Sequence, residues 1–254
     1  MRINLSLAVY HGLRLEQAID LALKEQERGS LSEPALGEIS LEHVQIVPQL
    51  RSAMTVDKAH ELREKYPNIQ FRLHANVRLS DRWVLYDLSD FDEHKNLFKQ
   101  VGEIQKALGA TVYSAHSGQT PGVSLKQVFD NAKRASDLMQ CTVAIEGLYP
   151  SIRLRNQILT SWRCYQDLLD SGLPFALDLS HLKIVQNRYG EQRTLLQELL
   201  SSENCVEIHV SENDGKADIH DMCVEKPFWF EDLVKYRNPK AVIFTEGNRK
   251  PLFR

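Results

Sequence analysis

Cys205-Val-Glu-Ile-His-Val-Ser-Glu-Asn-Asp-Gly-Lys-Ala-Asp-Ile-His220 reads as a buried strand followed by a polar turn. The run 205–210 is short, apolar and partly β-branched, as a buried strand should be. His209 closes it, and Asp218 and His220 follow across a Gly-containing turn. Asp218 and His220 are two residues apart, so in extended chain they point to the same side. Imidazole nitrogen beside carboxylate oxygen is a donor set that divalent metals take. One such turn decides little by itself. The fold depends on whether other strands end the same way.

Outward from this stretch, seven further strands are predicted, over residues 2–9, 36–41, 69–74, 111–116, 141–146, 175–178 and 241–246. Apolar residues at helical spacing predict helices over 13–28, 56–65, 94–108, 123–139, 155–170, 191–200 and 228–236. Residues 75–92 form a loop long enough to cover a site, and 182–190 read as irregular. Eight strands alternating with helices imply a parallel sheet, and eight is the number that closes into a (β/α)8 barrel. The expected architecture is therefore an α/β TIM barrel spanning 1–254 as one domain. The chain stops eight residues after Glu246. An eighth outer helix is accordingly expected to be missing or truncated, and a second copy or a partner protein is expected to cover the barrel near the C-terminus.

Bulk properties agree with a compact barrel. The chain has 254 residues, 43% of them apolar, and a net charge of −3. That balance offers no global basic field to nucleic acid. Cys141, Cys164, Cys205 and Cys223 form no CxxC pair and read as reduced, packed thiols. No apolar run reaches ~20 residues, so no membrane span is expected. The expectation is a cytoplasmic protein.

The strand ends carry the chemistry. Strand three ends in His74, four in His116 and five in Glu146. Strand six ends in Asp178, with His181 three residues on. Strand seven ends in His209, followed by Asp218 and His220, and strand eight ends in Glu246. In a parallel barrel the C-terminal strand ends surround one mouth, where barrel active sites lie. Nine ligand-type groups there would be costly to bury without a cation. A single zinc or manganese site uses three or four protein ligands, so nine suit two or three ions.

Over essentially the whole chain this pattern resembles the xylose-isomerase-like barrel superfamily. Its sugar isomerases and epimerases imply a single-ion set of Glu146, Asp178, His209 and Glu246, with Glu146 and Glu246 doubling as catalytic acid and base. Its endonuclease IV-type repair enzymes imply a three-zinc set, and all nine positions match that set in type and order. The segments around them differ: Gly-Leu-Tyr-Pro follows Glu146, and Val77 stands where that family has Tyr. The closest local wording is to the multinuclear non-haem iron-dependent oxidative enzymes that modify ribosomal peptides. Leu177-Asp-Leu-Ser-His181 with Asn187 and Gly190, Val206-Glu-Ile-His-Val210, and Asp218-Ile-His-Asp221 with Phe228-Trp229 are similar to that family's motifs. His181 stands where Asn is usual.

That last resemblance implies an oxidoreductase holding iron, with zinc or manganese as the other metals, and a peptide or small-molecule substrate. Asn187, Lys183 and Arg78 are then candidate groups for the substrate side. Trp83, Tyr86, Phe228 and Trp229 are candidate wall residues.

Overall fold

The computed structural model describes residues 1–151 and 156–249. Nine strands and eight helices alternate along them: β1 (Ile3–Ser6), α1 (Leu15–Glu27), β2 (Ser32–Glu33), β3 (Gly37–Ile46), α2 (Val56–Lys65), β4 (Gln70–Leu73), α3 (Lys95–Leu108), β5 (Val112–His116), α4 (Leu125–Met139), β6 (Thr142–Glu146), α5 (Trp162–Asp170), β7 (Phe175–Asp178), α6 (Leu179–Tyr189), α7 (Arg193–Ser201), β8 (Cys205–Val210), α8 (Phe230–Tyr236) and β9 (Val242–Thr245). Neighbouring long strands pair in parallel, and β1 bonds both β9 and β3. The sheet therefore closes on itself as an eight-stranded barrel. β2 lies outside it, in a short antiparallel pairing with the start of β3.

Local chemistry sets the element ends. Thr55, Ser124 and Ser161 cap α2, α4 and α5 by accepting a backbone N–H with their hydroxyls. Gly109 ends α3 with φ +68°, a left-handed conformation that costs a side-chain-bearing residue more. The strands between them are apolar and β-rich, and their outward side chains meet the helices in one continuous core.

Four boundaries differ from the sequence reading. The strand expected over 36–41 runs on to Ile46, with a register shift against β1 after Ser40 that breaks the alternation of Ile39 and Leu41 before Val44 and Ile46 resume it. The segment 182–190, expected to be irregular, is most of α6. The Asp178 carboxylate starts it by accepting from the backbone N–H groups of Ser180 and His181. The helix expected over 155–170 begins at Trp162; residue 155 lies outside the described residues. β1 stops at Ser6, whose hydroxyl caps the 3-10 turn Leu7–Tyr10. Past β9, residues 246–249 carry no helix. All four cysteines are free thiols. Among the described residues no helix is long and apolar enough to cross a membrane.

Candidate metal centre

Strand register brings the ligand-type residues together. In the β5–β6 ladder His116 is the partner of Glu146, and in the β7–β8 ladder Asp178 is the partner of His209. His74 and Glu246 each sit one residue past a strand. Their backbone N–H groups extend the ladders to the carbonyls of Ile46 and Val210. Asp218 and His220 ride on the β8–α8 loop, closed at its base by paired backbone bonds between Glu212 and Asp221. His220 takes φ +51°, a conformation rare for a side chain of its size.

All nine converge on the barrel mouth. Eight of them line a cavity of about 180 Å³, and His209 lies at its floor against Glu146. Glu146 is the hub: its carboxylate lies 3.0 Å from His74 Nε2, 3.6 Å from His209 Nδ1, and 3.8 Å from both His116 Nε2 and His181 Nδ1. A second group forms at the rim. Asp218 Oδ2 lies 2.7 Å from His220 Nε2 and 3.4 Å from His181 Nε2, and His220 Nδ1 lies 3.6 Å from Glu246. Among the described residues three triplets hold ligand atoms within 4.8 Å of one another: His74, His116 and Glu146; His74, His209 and Glu246; Glu146, Asp178 and His209.

Neighbours fix several of these side chains. His181 Nδ1 donates to the Gly147 carbonyl at 2.8 Å, which turns Nε2 toward Asp178 and Asp218. Asp178 Oδ1 is committed to the start of α6, so Oδ2 is the oxygen left for the site. His116 Nδ1 faces Asp87 at 3.6 Å, and Asn76 Nδ2 donates to that carboxylate at 2.7 Å.

The electrostatics are those of a cation site. Burial opposes the charge on Glu146, but His209, His74 and His116 outweigh it and hold the carboxyl well below its usual range. Burial likewise opposes charge on the imidazoles. Asp178, Asp218 and Glu146 nevertheless push His181 up to about 10. Asp218 and Glu246 push His220 up to about 9. Asp178 moves the other way, raised by burial among other carboxylates. Protons on imidazoles thus stand in for positive charge, and a metal would compete with them. Even so, Glu146 Oε2 and His209 Nδ1 are buried with no hydrogen-bond partner. Two buried ligand-type atoms facing each other at 3.6 Å without a hydrogen-bond partner are what an ion would satisfy, so the residues fit one.

The remaining candidates fall elsewhere. Lys183 and Asn187 do not line the cavity. Lys183 grips both oxygens of Glu212 at 2.8 Å, and Asn187 donates to the Gly215 carbonyl at 2.8 Å. Both tether the loop that carries Asp218 and His220. Arg78 is turned to the Pro48 carbonyl. Trp83 is exposed on the rim, while Tyr86 and Trp229 are core residues and Phe228 packs against that core. The wall holds instead Asp87, Tyr149 and three glutamines, Gln49, Gln119 and Gln157. Nothing in the sequence singles out these glutamines, which lie on three separate loops.

No family model matches the chain, and no curated protein does. Solved structures do match. A D-tagatose 3-epimerase-like protein is 15% identical, with a TM-score of 0.66, over 98% of this chain and 91% of that one. An AP endonuclease of family 2 from Brucella melitensis is 15% identical, TM-score 0.63, over 98% and 93%. The IOLI protein with a binding zinc atom is 16% identical, TM-score 0.64, over 98% and 90%. The fold is that of the xylose-isomerase-like barrels. Within it, this chain has the nine ligand-type side chains at or just beyond the C-terminal ends of the strands, on the face where TIM barrels build their sites.

Proposed function

We propose that the chain is a metal-dependent isomerase or epimerase of a small, hydroxyl-rich carbonyl compound. The observation that carries this reading is the wall above the ligands. Gln49 and Gln157 line the cavity with buried Oε1 atoms that have no partner. An unpartnered buried acceptor costs roughly 1–3 kcal/mol. A substrate bearing O–H donors would relieve it. Among the described residues the lining holds no Lys or Arg. A volume of about 180 Å³ suits a small molecule.

Glu146, Asp178, His209 and Glu246 would hold the ion, which when bound polarises a carbonyl as a Lewis acid. The chain then needs a base and an acid beside the carbonyl. Glu146 and Glu246 take those roles: one accepts the proton from the neighbouring carbon, and the other returns a proton from the opposite side. Asp178 cannot share this work, since one of its oxygens caps α6. The tightly packed imidazoles and Tyr149 exclude bulk water from the floor.

One observation favours a second reading. The rim group of His181, Asp218 and His220 is more than a single-ion isomerase uses, and it suits a multinuclear centre doing oxidative chemistry with iron. Incubation with a panel of ketoses in D2O, after loading with Mn2+, tests the first reading. Deuterium retained at the carbon beside the carbonyl supports it. Oxygen consumption by iron-loaded chain, with no deuterium exchange, supports the second instead.

A further inference from the structure

Beneath the metal-ligating layer lies a second polar layer that the proposed reaction does not use. Side chains alternate along a strand, so Glu207 shares the barrel interior with His209 on β8, and Arg72 precedes His74 on the same face of β4. Glu207 is completely buried. Arg72 Nη1 donates to its Oε2 at 2.8 Å, and Gln45 Nε2 donates to its Oε1 at 2.8 Å. His209 Nε2 lies 2.8 Å from that same Oε1.

An ionised carboxylate only accepts hydrogen bonds. The His209 proton therefore sits on Nε2, between the ring and Glu207. Gln45 Nε2 is also 3.0 Å from His209 Nε2; both are donors, and both turn to the one oxygen. A cation bound through His209 would then take Nδ1, the atom with no hydrogen-bond partner that faces Glu146.

We propose that Glu207, anchored by Arg72 and Gln45, is a positioning residue that locks His209 as its Nε2–H tautomer and so sets the affinity of the metal centre through Nδ1. A carboxylate behind a ligating histidine fixes the ring and raises its basicity, and losing it typically costs 10–100-fold in affinity. A charged layer inside a barrel, where branched apolar side chains usually stack, has a reason to exist if it serves this purpose. The inference rests on the metal-centre reading and not on the reaction assigned to it.

The test uses the whole chain and Zn2+ as probe. Zinc affinity is measured by chelator competition for the wild type, for Glu207→Gln and for the double variant Glu207→Gln with Arg72→Gln. The double variant leaves no unpaired buried charge, so it keeps the test alive if the single one does not fold. Both variants are expected to bind zinc about 10- to 100-fold more weakly. Long-range 1H–15N spectra of the zinc-loaded wild type should show His209 protonated at Nε2 alone, and the variants should lose that single tautomer. A merely structural role would lower the melting temperature and leave affinity and tautomer unchanged, which overturns the proposal. So does a wild-type spectrum with the proton on Nδ1. Zinc binding with the expected tautomer but no ketose turnover removes only the proposed reaction. A wild type that binds no zinc removes the metal centre itself.

Discussion

Four histidines lie within 3.8 Å of the Glu146 carboxylate, which makes it the residue on which the centre turns. Glu146→Gln keeps the shape and removes the charge that holds those imidazoles. The expected outcome is a chain that no longer retains metal through dialysis and whose turnover falls about 10³-fold, within the range for a lost acid–base group. His220→Ala separates the two functional readings at the same scale. A single-ion isomerase keeps its metal content and activity without His220, whereas a multinuclear centre loses at least one ion. At this scale the convergence of these side chains was legible because six consecutive strands end in a His, Asp or Glu, and a parallel barrel gathers those ends at one mouth. Glu207 was not. In the sequence it is one charge within an apolar strand, and only the alternation with His209, two residues on, hints that it faces inward. The glutamines were hidden for a different reason: their residue type suits any loop, and they meet only through the fold.

Elements supply the rigidity of the site. α6 starts on Asp178 and then grips the β8–α8 loop through Lys183, so one helix ties the floor of the cavity to its rim. Lys183→Met removes that grip from a pair that is about three-quarters buried at each partner. It should destabilise the chain by roughly 1 kcal/mol, read by urea unfolding, and weaken metal retention at the rim more than at the floor. β3 carries a pH-sensitive group. Burial, with Arg72 nearby, lowers His43 from its ordinary 6.5 to about 4. The fold therefore prefers the neutral ring, and between those values the unfolded chain binds more protons. The contribution of His43 is fully present above about pH 6.5 and is lost as pH falls toward about 4. His43→Gln should flatten the fall of melting temperature over that window, in paired scans against the wild type. α6 itself was the least legible element. Its sequence mixes polar and apolar residues without a clean stripe, and its start depends on a side chain, Asp178, that also belongs to the site.

Across the whole molecule, the barrel gathers opposing charges at one mouth, so a bound cation and the folded state would support each other. Eight alternating strands and helices were enough to expect closure, and β1 does pair with both β3 and β9. The end of β3 and the hairpin strand β2, which buries Glu33 against Thr245 and the Cys223 N–H, could not be read locally. They depend on partners far away in the chain. A metal that binds only the folded state should raise stability by about 2.7 kcal/mol at a hundredfold excess over its dissociation constant, visible as a melting temperature that climbs with metal concentration. The most direct measurement is elemental analysis of the chain purified under low oxygen and loaded in turn with Mn2+, Fe2+ and Zn2+, beside Glu146→Gln treated identically. One or more ions retained by the wild type and none by the variant is the predicted result. A wild type that retains no ion under any loading, or a variant that retains as much as the wild type, contradicts a metal centre built on these nine side chains.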